Sequence, residues 1–471
     1  MTYPLIYILG ERFMKKKNVK VYIIGSGLVG RTLARQLAND GCEITIVDKD
    51  MSVLEEIGNT LDAIGFQGNG ASYKTLKEMN AQDADILIAV TASDELNMLS
   101  CFTAHHMGTP YTIARVRDVD YAETERFYRD EMGISMTLNP ELETAREIYR
   151  VIRFPQATRI ELFARGAAEL VEMTVPSDSL IVGKTLIEIN QSLGINLLIC
   201  AVHRGDDIFV PVGNTVIKAN DTLYLTGAAN EFRNSFSKLR LNYKPLKSVM
   251  ITGRDMISYH LADRLSKSGI NVTVVDPDRE ACDKFAEKLP KVNVICDDSL
   301  EYLDSMSDSD LANTDAFISI THDDEFNLIA SMYAETLGIG KIVAGIRAKK
   351  RLKVLPKKTT ISTISREDVA VERILGYTRA RLNASDNDAV ESLYRLMDGQ
   401  IEFAEFKVSD NDKNLNIPLK NLSLKRNFLV AAIIRNNEVI IPRGDDFISA
   451  GDHVVVASIK HEIGKLEDIY E

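Results

Sequence analysis

The sequence has few cysteines, no long apolar run and no excess of basic residues, and each absence excludes a class of protein. Its five cysteines are scattered and none forms a Cys-x-x-Cys pair, so neither a disulfide framework nor a zinc site is indicated, and a reducing cytosol fits. No apolar run approaches the roughly 20 residues that span a bilayer, so any membrane association is expected to be peripheral. The net charge of −12 argues against nucleic-acid binding, which needs a basic face.

The length of 471 residues is too great for one compact core and predicts about three or four domains of roughly 100–150 residues each. Residues 1–17 are expected to be a loose extension, in which Met14 is an alternative start to Met1. Their apolar part precedes their charges, which is the reverse of the order in a secretory signal.

The stretch 19–48 combines an apolar strand, a glycine-rich turn, a helix and a second strand. Its turn, Gly25-Ser26-Gly27-Leu28-Val29-Gly30, has the form G-x-G-x-x-G. Gly25 permits a tight turn, Gly27 lets the backbone approach a pyrophosphate, and Gly30 lets the helix pack close to the strand. The pattern therefore predicts a dinucleotide-binding unit. A glycine-rich turn that binds nothing is the alternative interpretation.

Asp48 ends the second strand, about 20 residues after the turn, as expected for an acid that binds the ribose of a dinucleotide. Its carboxylate can accept hydrogen bonds from a ribose diol, and its charge would repel a 2′-phosphate. The residue therefore favours NAD(H) over NADP.

The chain is a tandem repeat. Three pairs of segments align: 21–48 with 249–276, 85–97 with 315–327, and 210–221 with 441–452. The order of units is therefore A–B–A–B, with boundaries near Pro155, Pro245 and Asn387. We predict large A domains at 18–135 and 245–363 and smaller B domains at 155–239 and 388–471.

Each A unit alternates short apolar strands with helical segments, which predicts an α/β fold with a doubly wound, Rossmann-like parallel sheet. The strands of the first unit are predicted at 19–24, 44–47, 63–67, 86–90, 111–116 and 134–138. The helix after the fourth strand is expected to start at Asp94, a residue typical of an N-cap. The B units show period-two alternation, which predicts half-buried strands in a small α+β module.

A helix is predicted between each A and B unit, from Pro140 to Phe154 in the first copy and from Glu367 through Arg373 onward in the second. The first helix carries an apolar stripe at helical spacing, formed by Ala145, Ile148, Tyr149 and Ile152. The stripe fits an intramolecular core or a subunit interface, and the sequence leaves both open.

These motifs resemble the RCK (regulator of potassium conductance) family in its tandem, Trk-type form. The residues that carry the resemblance are Gly25–Gly30 with Asp48, Gly68-Asn69-Gly70-Ala71-Ser72, Thr91–Asn97, Ala114–Arg117 and Pro140-Glu141. The likeness covers nearly the whole chain after residue 17. It implies two RCK N-terminal domains, each followed by an RCK C-terminal domain.

The resemblance also implies a function. The chain would be a non-enzymatic, nucleotide-sensing regulatory subunit of a potassium-uptake system that binds NAD(H), or ATP or ADP, and gates a TrkH/TrkG-like membrane subunit. It would be cytoplasmic, held at the inner face of the membrane through that partner, and a homo-oligomer, either dimer or tetramer. No nucleic-acid partner, catalytic residue or metal ligand is implied.

The family's binding residues transfer onto the first copy. Gly25, Ser26, Gly27, Leu28 and Val29 would surround the phosphates and Asp48 would hold the adenosine ribose. Ser72 follows the third strand, and Ser93 and Asp94 begin the helix after the fourth, near the second half of the ligand. Arg115 and Arg117 share one face of a strand and could meet a phosphate; the alternative is ion pairing of these arginines with Asp118 and Asp120.

The second copy departs from the pattern. Its loop is Gly253-Arg254-Asp255-Met256-Ile257-Ser258, in which Asp255 places a carboxylate where pyrophosphate should approach. Cys296-Asp297-Asp298-Ser299 replaces the second glycine-rich turn, and Asp276 alone is retained. We expect this copy to keep the fold and to have lost ordinary dinucleotide binding, although Arg254 could meet a phosphate in an altered pose.

Two other functions are compatible with a Rossmann unit: a nicotinamide-dependent oxidoreductase and a nucleotide-binding regulator of another transporter. Against the first, no separate substrate domain follows the Rossmann unit and no acid–base arrangement is recognisable. One basic cluster, spanning 349–358, fits contact with anionic lipid or an acidic partner loop, or a solvated surface.

Overall fold

The computed structural model describes residues 19–471 apart from 119–126, 129–130, 154–156, 165–166, 195, 206, 239–245, 348–358, 360, 384–389, 398–399, 411, 437, 461–462 and 464. The N-terminal extension, the boundaries near Pro155, Pro245 and Asn387, and the basic cluster lie outside the described residues. The chain divides into two units. One combines the chain up to Ile152 with Leu246–Leu375, and the other combines Arg153–Pro245 with Gly376–Glu471.

The first unit contains two six-stranded parallel sheets. In the first sheet the order is β3-β2-β1-β4-β5-β6. Its strands are β1 (Lys20–Ile24), β2 (Glu43–Asp48), β3 (Ala63–Gln67), β4 (Ile86–Ala89), β5 (Tyr111–Arg115) and β6 (Met136–Leu138). All six strands predicted from the sequence are present, and the doubly wound α/β fold is confirmed.

The helices of the first copy alternate with these strands. They are α1 (Leu28–Asn39), α2 (Met51–Gly58), α3 (Tyr73–Glu78), α4 (Asp94–Met107) and α5 (Pro140–Arg153). The strand order reverses between β1 and β4, and in such sheets the crevice at the carboxyl ends of these two strands is where ligands bind.

The second copy repeats the architecture with the order β14-β13-β12-β15-β16-β17, again entirely parallel. Its strands are β12 (Ser248–Thr252), β13 (Asn271–Asp276), β14 (Asn293–Cys296), β15 (Ala316–Ser319), β16 (Lys341–Gly345) and β17 (Ile361–Ile364). Its helices are α8 (Met256–Lys267), α9 (Arg279–Lys288), α10 (Ser299–Ser305), α11 (Asp308–Asn313), α12 (Asp324–Thr336) and α13 (Arg366–Asn383).

Helix α5 packs on the second copy rather than on solvent. Its apolar stripe, Ala145, Ile148, Tyr149 and Ile152, belongs to one buried cluster with residues of β12, α8 and β13, including Val249, Leu261 and Val274. The Tyr149 hydroxyl lies 3.2 Å from Ser268 Oγ, and the Arg264 guanidinium stacks on the Tyr149 ring at 4.7 Å. Of the two interpretations of the stripe, the structure shows the intramolecular core.

The second unit contains two five-stranded antiparallel sheets with matching orders, β10-β9-β11-β8-β7 and β21-β20-β22-β19-β18. The strands are β7 (Ala157–Phe163), β8 (Ala168–Thr174), β9 (Leu198–Arg204), β10 (Asp207–Phe209), β11 (Thr222–Ala228), β18 (Val390–Leu396), β19 (Ile401–Lys407), β20 (Phe428–Arg435), β21 (Glu438–Ile440) and β22 (His453–Ile459). Helices α6 (Leu186–Leu193) and α7 (Ala229–Lys238) accompany the first of them.

The two small sheets share one core. Phe163, Tyr224, Phe403 and Val455 lie in the same buried cluster, and Thr226 Oγ1 donates a 2.6 Å hydrogen bond to the Ala431 carbonyl across it. The prediction of half-buried strands in the B units is wrong for β8, β11, β19 and β22, in which nearly every residue is buried. One face of each sheet lies in the shared core, and the other face lies in a core of its own B unit. Among all the residues that the structure describes, no helix is both long and apolar enough to span a bilayer.

Candidate functional site: the cleft of the first Rossmann copy

The turn between β1 and α1 requires glycine for steric reasons at Gly25 and Gly30, but not at Gly27. Gly25 has φ +104°, and a Cβ there would lie 3.1 Å from the Thr91 backbone nitrogen. A Cβ on Gly30 would lie 2.0 Å from the Gly25 carbonyl oxygen, so no side chain fits. A Cβ on Gly27 would meet no atom within 4 Å. The space in front of Gly27 is therefore available to a ligand.

The N-terminus of α1 faces this space. Gly27 is the N-cap, and within the described chain no side chain accepts a hydrogen bond at this end of the helix. The first backbone N–H groups of a helix carry partial positive charge and have no partner inside the helix. The Leu28 side chain beside them is 57% exposed, and Val29 is half-buried. Backbone N–H groups in this arrangement form a site for phosphate.

Asp48 is held in place by the same turn. Its Oδ2 atom accepts hydrogen bonds from the Ser26 backbone N–H at 2.7 Å and the Ser26 hydroxyl at 2.6 Å, while its Oδ1 accepts from the Asp50 N–H. Burial opposes ionisation of this carboxyl, but the hydrogen bonds from Ser26 outweigh burial and lower its pKa. Asp48 is therefore a fixed anion at the edge of the cleft.

The opposite wall of the cleft is organised by a buried asparagine. Asn97 Oδ1 accepts from the Thr91 backbone N–H and hydroxyl, and its Nδ2 donates to the carbonyls of Thr91 and Arg115. The side chain thereby joins the end of β4 to the end of β5. Asn327 makes the same bonds to Thr321 and Gly345 in the second copy. The repeated T-x-x-D-E-x-N motif was the sequence signal for this role, which motif reasoning did not assign.

Helix α4 begins at Asp94, as predicted, but its N-cap is Ser93, so the capping role predicted for Asp94 is wrong. Ser93 Oγ accepts from the Leu96 N–H, and the helix begins at Asp94. The buried Asp94 carboxylate instead accepts from the backbone N–H groups of Arg117 and Asp118 at 2.7 and 3.0 Å. Its tertiary partners lie after β5, which explains why local sequence assigned the cap to the wrong neighbour.

Arg117 is positioned at the mouth of the cleft by this carboxylate. Its Nε lies 3.5 Å from Asp94 Oδ1, and its guanidinium also donates to the Ala92 carbonyl. The side chain is partly exposed, so it can exchange these contacts for a ligand phosphate. Ser72 lies at the carboxyl end of the neighbouring β3, where it is the N-cap residue of α3 without a side-chain cap bond in the described structure.

Arg115 lies close to Arg117 and Asp94 and also to Glu141 and Arg366, so it stands at a charged junction between the two copies. Burial lowers the pKa of the Arg115 guanidinium; the nearby Arg117 and Arg366 charges reinforce this effect and Glu141 opposes it. The buried Nε of Arg115 has no hydrogen-bond partner among the described residues. Glu141 on α5 is 8% exposed, and its Oε1 pairs with Arg366 of the second copy at 3.3 Å. Arg366 is a site neighbour that no motif in the first copy could reveal.

The second cleft has its anion position filled by its own side chain. Asp255 is the N-cap of α8, and its Oδ1 accepts from the N–H groups of Ile257 and Ser258, both at 3.0 Å. Arg254 pairs with Asp276 at 3.7 Å and with Asp278. The N-terminus of α8, which corresponds to the phosphate contact of the first copy, is thus bound by Asp255. Asp276, which corresponds to the ribose contact, is paired with Arg254.

A shallow pocket nevertheless lies beside Asp255. Its lining includes Asp255, His322, Asp324, Arg347 and Arg366, with Thr144 contributed by α5 of the first copy. Burial raises the pKa of Asp255, against the opposing effect of its hydrogen bonds and of the His322 and Arg366 charges. Arg347 is held by Asp324 as Arg117 is held by Asp94, at 3.4 Å.

Comparison with known proteins places these units in a family context. The TrkA-N domain model matches residues 21–140 and 249–366, and the TrkA-C domain model matches residues 170–237 and 403–470. The alternation of the two models agrees with the A–B–A–B order of the repeats. The domain limits chosen from the sequence remain predictions.

Relatives match over nearly the full chain. The Trk system potassium uptake protein TrkA of Haemophilus influenzae is 29% identical over 461 residues, which is 96% of this chain and 99% of that protein. The TrkA homolog of Archaeoglobus fulgidus is 28% identical over 462 residues, 96% of this chain and all of that protein (100%).

Solved structures agree on the fold. The GsuK channel bound to NAD has a TM-score of 0.58 at 16% identity, covering 97% of this chain and 79% of that chain. The crystal structure of the GsuK RCK domain has a TM-score of 0.57 at 16% identity, covering 97% and 95%. At this identity the likeness concerns the tandem α/β fold alone.

Proposed function

Because the chain belongs to the family defined by tandem TrkA-N and TrkA-C domains, we propose that it is the cytosolic regulatory subunit of a Trk-type potassium-uptake system. The relatives from Haemophilus influenzae and Archaeoglobus fulgidus, whose alignments cover 96% of this chain, are potassium uptake proteins by name. In this function the chain senses a nucleotide and controls ion transport by a membrane partner. The observation that carries the proposal is the open, uncapped helix N-terminus at Gly27 opposite the fixed carboxylate of Asp48.

The ligand that fits this cleft is NAD(H), or ATP or ADP. The backbone of Gly25–Val29 would bind the phosphates, and Asp48 would accept from the ribose hydroxyls in place of Ser26. Arg117 would approach a phosphate from the far wall, with Ser72, Ser93 and Asp94 near the second half of the ligand. The GsuK channel, which has the same tandem fold, has been solved bound to NAD, and this supports a dinucleotide as the ligand proposed here.

Transmission to the second copy would run through the junction of the two Rossmann domains. Arg117 and Asp94 adjoin the strand that carries Arg115, and Arg115 lies in the field of Glu141 and Arg366. A ligand phosphate that pairs with Arg117 would change the electrostatic field that Arg117 and Asp94 exert on Arg115. For gating, the nucleotide must bind two arrangements of the copies with different affinities, because equal affinity shifts no population.

The regulatory function is favoured over the oxidoreductase alternative because the matching relatives are uptake proteins along their whole length. The partner we propose is a TrkH/TrkG-like membrane subunit, contacted from the inner face of the membrane by a dimer or tetramer of this chain. A regulator of a different transporter is the remaining alternative, and a functional assay with the partner distinguishes the two.

The binding test is calorimetric titration of the purified chain with NADH, NAD⁺, ATP and ADP, beside Asp48→Ala and its matched control Asp276→Ala. We expect a single class of site that Asp48→Ala abolishes and Asp276→Ala leaves unchanged. Loss of binding in both variants would mean that the second copy also holds the ligand. No binding of any nucleotide would overturn the proposal for the first cleft.

The partner test uses bacterial cells that lack their own potassium uptake and carry a TrkH/TrkG-like subunit. We expect growth at low potassium to depend on this chain and to be altered by Asp48→Ala. Growth that is the same with and without the chain would instead support regulation of another transporter.

A further inference from the structure

Two cysteines of the second copy lie close together, one on a helix and the other at the carboxyl end of the strand beside it. Cys282 is on α9, six residues after Asp276, and Cys296 ends β14, where its Cα pairs with that of Asp276. The first copy has Leu54 and Gln67 at these places, because Asp48 there pairs with Gln67. The pair is therefore specific to the copy whose dinucleotide groups are engaged with each other.

The sulfur contacts show how close the two side chains are. Cys282 Sγ lies 3.2 Å from the Asp276 carbonyl and 3.8 Å from the carbonyl of Ile295, the residue that precedes Cys296. Cys296 Sγ lies 3.7 Å from the Pro277 carbonyl. Both thiols thus occupy the same corner, between the end of β13 and the end of β14.

The two thiols differ in accessibility. Cys296 is exposed, whereas Cys282 is buried. Burial and the adjacent Cys296 raise the pKa of the Cys282 thiol to about 11. A solvent-accessible thiol with a second cysteine beside it can react with an oxidant at the first sulfur and be resolved to a disulfide by the second.

We propose that Cys282 and Cys296 are a peroxide-sensitive modification site that closes to a reversible disulfide. Hydrogen peroxide oxidises the Cys296 thiol to a sulfenic acid and releases one water molecule. The Cys282 sulfur then attacks the sulfenic sulfur, the S–S bond forms, and the hydroxyl group leaves as a second water molecule with the Cys282 proton. Two electrons from two thiols reduce one peroxide, and a dithiol reductant reverses the reaction by exchange.

The bond would tie α9 to the end of β14, next to the ion pairs of the second cleft. Asp278 is the N-cap of α9 and the partner of Arg254, so a constraint on α9 acts on the residue that engages Arg254. The modification does not require a nucleotide in the first cleft, so it is independent of the function proposed above.

The test treats the reduced, folded full-length chain with hydrogen peroxide, alkylates the remaining thiols and maps peptides by mass spectrometry without reduction. We expect a linked Cys282–Cys296 peptide, loss of two of the five free thiols and full recovery with dithiothreitol. The buried Cys42, Cys101 and Cys200 serve as internal references and should stay reduced.

Two variants make the outcome decisive. In Cys282→Ser, Cys296 should accumulate as sulfenic and then sulfinic acid; in Cys296→Ser, Cys282 should stay a free thiol under the same treatment. Hydrogen exchange in α9 and β14 should slow only in oxidised wild-type protein. A wild-type map with Cys296 as sulfinic acid and Cys282 free, no reaction at either thiol, or a linked peptide that appears only after loss of far-UV circular dichroism would each overturn the proposal.

Discussion

The two Rossmann copies have the same frame but different groups at the turn between the first strand and the first helix. Asn97 and Asn327 both join the ends of two neighbouring strands through the same four bonds. By contrast, Gly27 leaves the N-terminus of α1 open, whereas Asp255 caps the N-terminus of α8. Asp48 is held by a neutral serine, whereas Asp276 is near the charged Arg254. The residues that hold the strands together are thus separate from those that would meet a ligand, so one set can change while the other is retained.

The largest effect is expected when the first copy is given the acid of the second. Gly27→Asp should fold, because Gly27 has φ −64° and a Cβ there would meet no atom within 4 Å. The new carboxylate would cap α1 and repel the pyrophosphate. We expect nucleotide binding to weaken at least about 100-fold, or about 2.8 kcal/mol, by calorimetry.

The matched control for this exchange is Gly27→Ala, which adds a Cβ without charge. It should weaken nucleotide binding less than Gly27→Asp does, and it leaves α1 uncapped. An unchanged nucleotide affinity in Gly27→Asp would contradict the proposed difference between the two copies, because it would show that phosphate does not bind at the uncapped N-terminus of α1.

A smaller effect is expected at the junction. Glu141→Gln leaves Arg366 and Arg115 without their nearest carboxylate across the two copies. Removing one member of a fully buried pair costs about 3–5 kcal/mol, and since Arg366 is partly exposed we expect about 2 kcal/mol. The measurement is the midpoint of urea unfolding.

The control at the junction is Glu367→Gln, which removes the other carboxylate that pairs with Arg366, at 3.0 Å. This pair joins two adjacent residues of one copy, so its loss leaves the Glu141–Arg366 contact between the copies in place, and we expect a smaller shift of the urea midpoint than for Glu141→Gln. Equal losses for the two variants would contradict a special role for Glu141 in joining the copies.

The smallest effect concerns pH. Burial raises the pKa of Asp255 above its value in the unfolded chain, so the folded state binds the proton more tightly, and stability falls as pH rises from about 4 through the raised pKa. Asp255→Asn keeps a capping side chain without this charge. Each unit of pKa difference is worth about 1.4 kcal/mol, and the thermal midpoint of the variant relative to wild type should be higher at pH 7 than at pH 4.5.

His322 and Arg366 provide the check on this sign, because both oppose the effect of burial. If the relative midpoint of Asp255→Asn were lower at pH 7 than at pH 4.5, these cations and the α8 N-terminus would outweigh burial. The carboxylate of Asp255 would then be a stabilising cap as an anion.

Much of the fold was predictable because its strands, helices and turns depend on the residues within each segment. The buried parts of β1 and β4, residues 21–24 and 86–89, are continuous apolar runs. The steric need for glycine at Gly25 and Gly30 follows from the turn itself. The prediction that Asp94 caps α4 failed because Ser93 and Asp94 are both good capping residues, and only the distant backbone of Arg117 decides between them.

The contacts between copies could not be predicted in the same way. Glu141 and Arg366 are 225 positions apart, and no periodicity relates them. The Cys282 and Cys296 thiols are separated by a helix and a strand, so their proximity depends on the register of β13 and β14. Such contacts depend on how separate helices and strands pack together, whereas sequence patterns indicate each helix or strand by itself.

The packing of α5 on the second copy has a consequence for the history and the engineering of the chain. A helix that leaves one fold to complete the core of its duplicate is the geometry of a domain-swapped homodimer whose two subunits have been fused. In an unfused homodimer every substitution appears in both subunits, so a lost site is lost twice. Fusion allows one half to specialise, and a fragment that ends after Ile152 would expose the stripe of Ala145, Ile148 and Tyr149 to solvent where it now packs on the second copy.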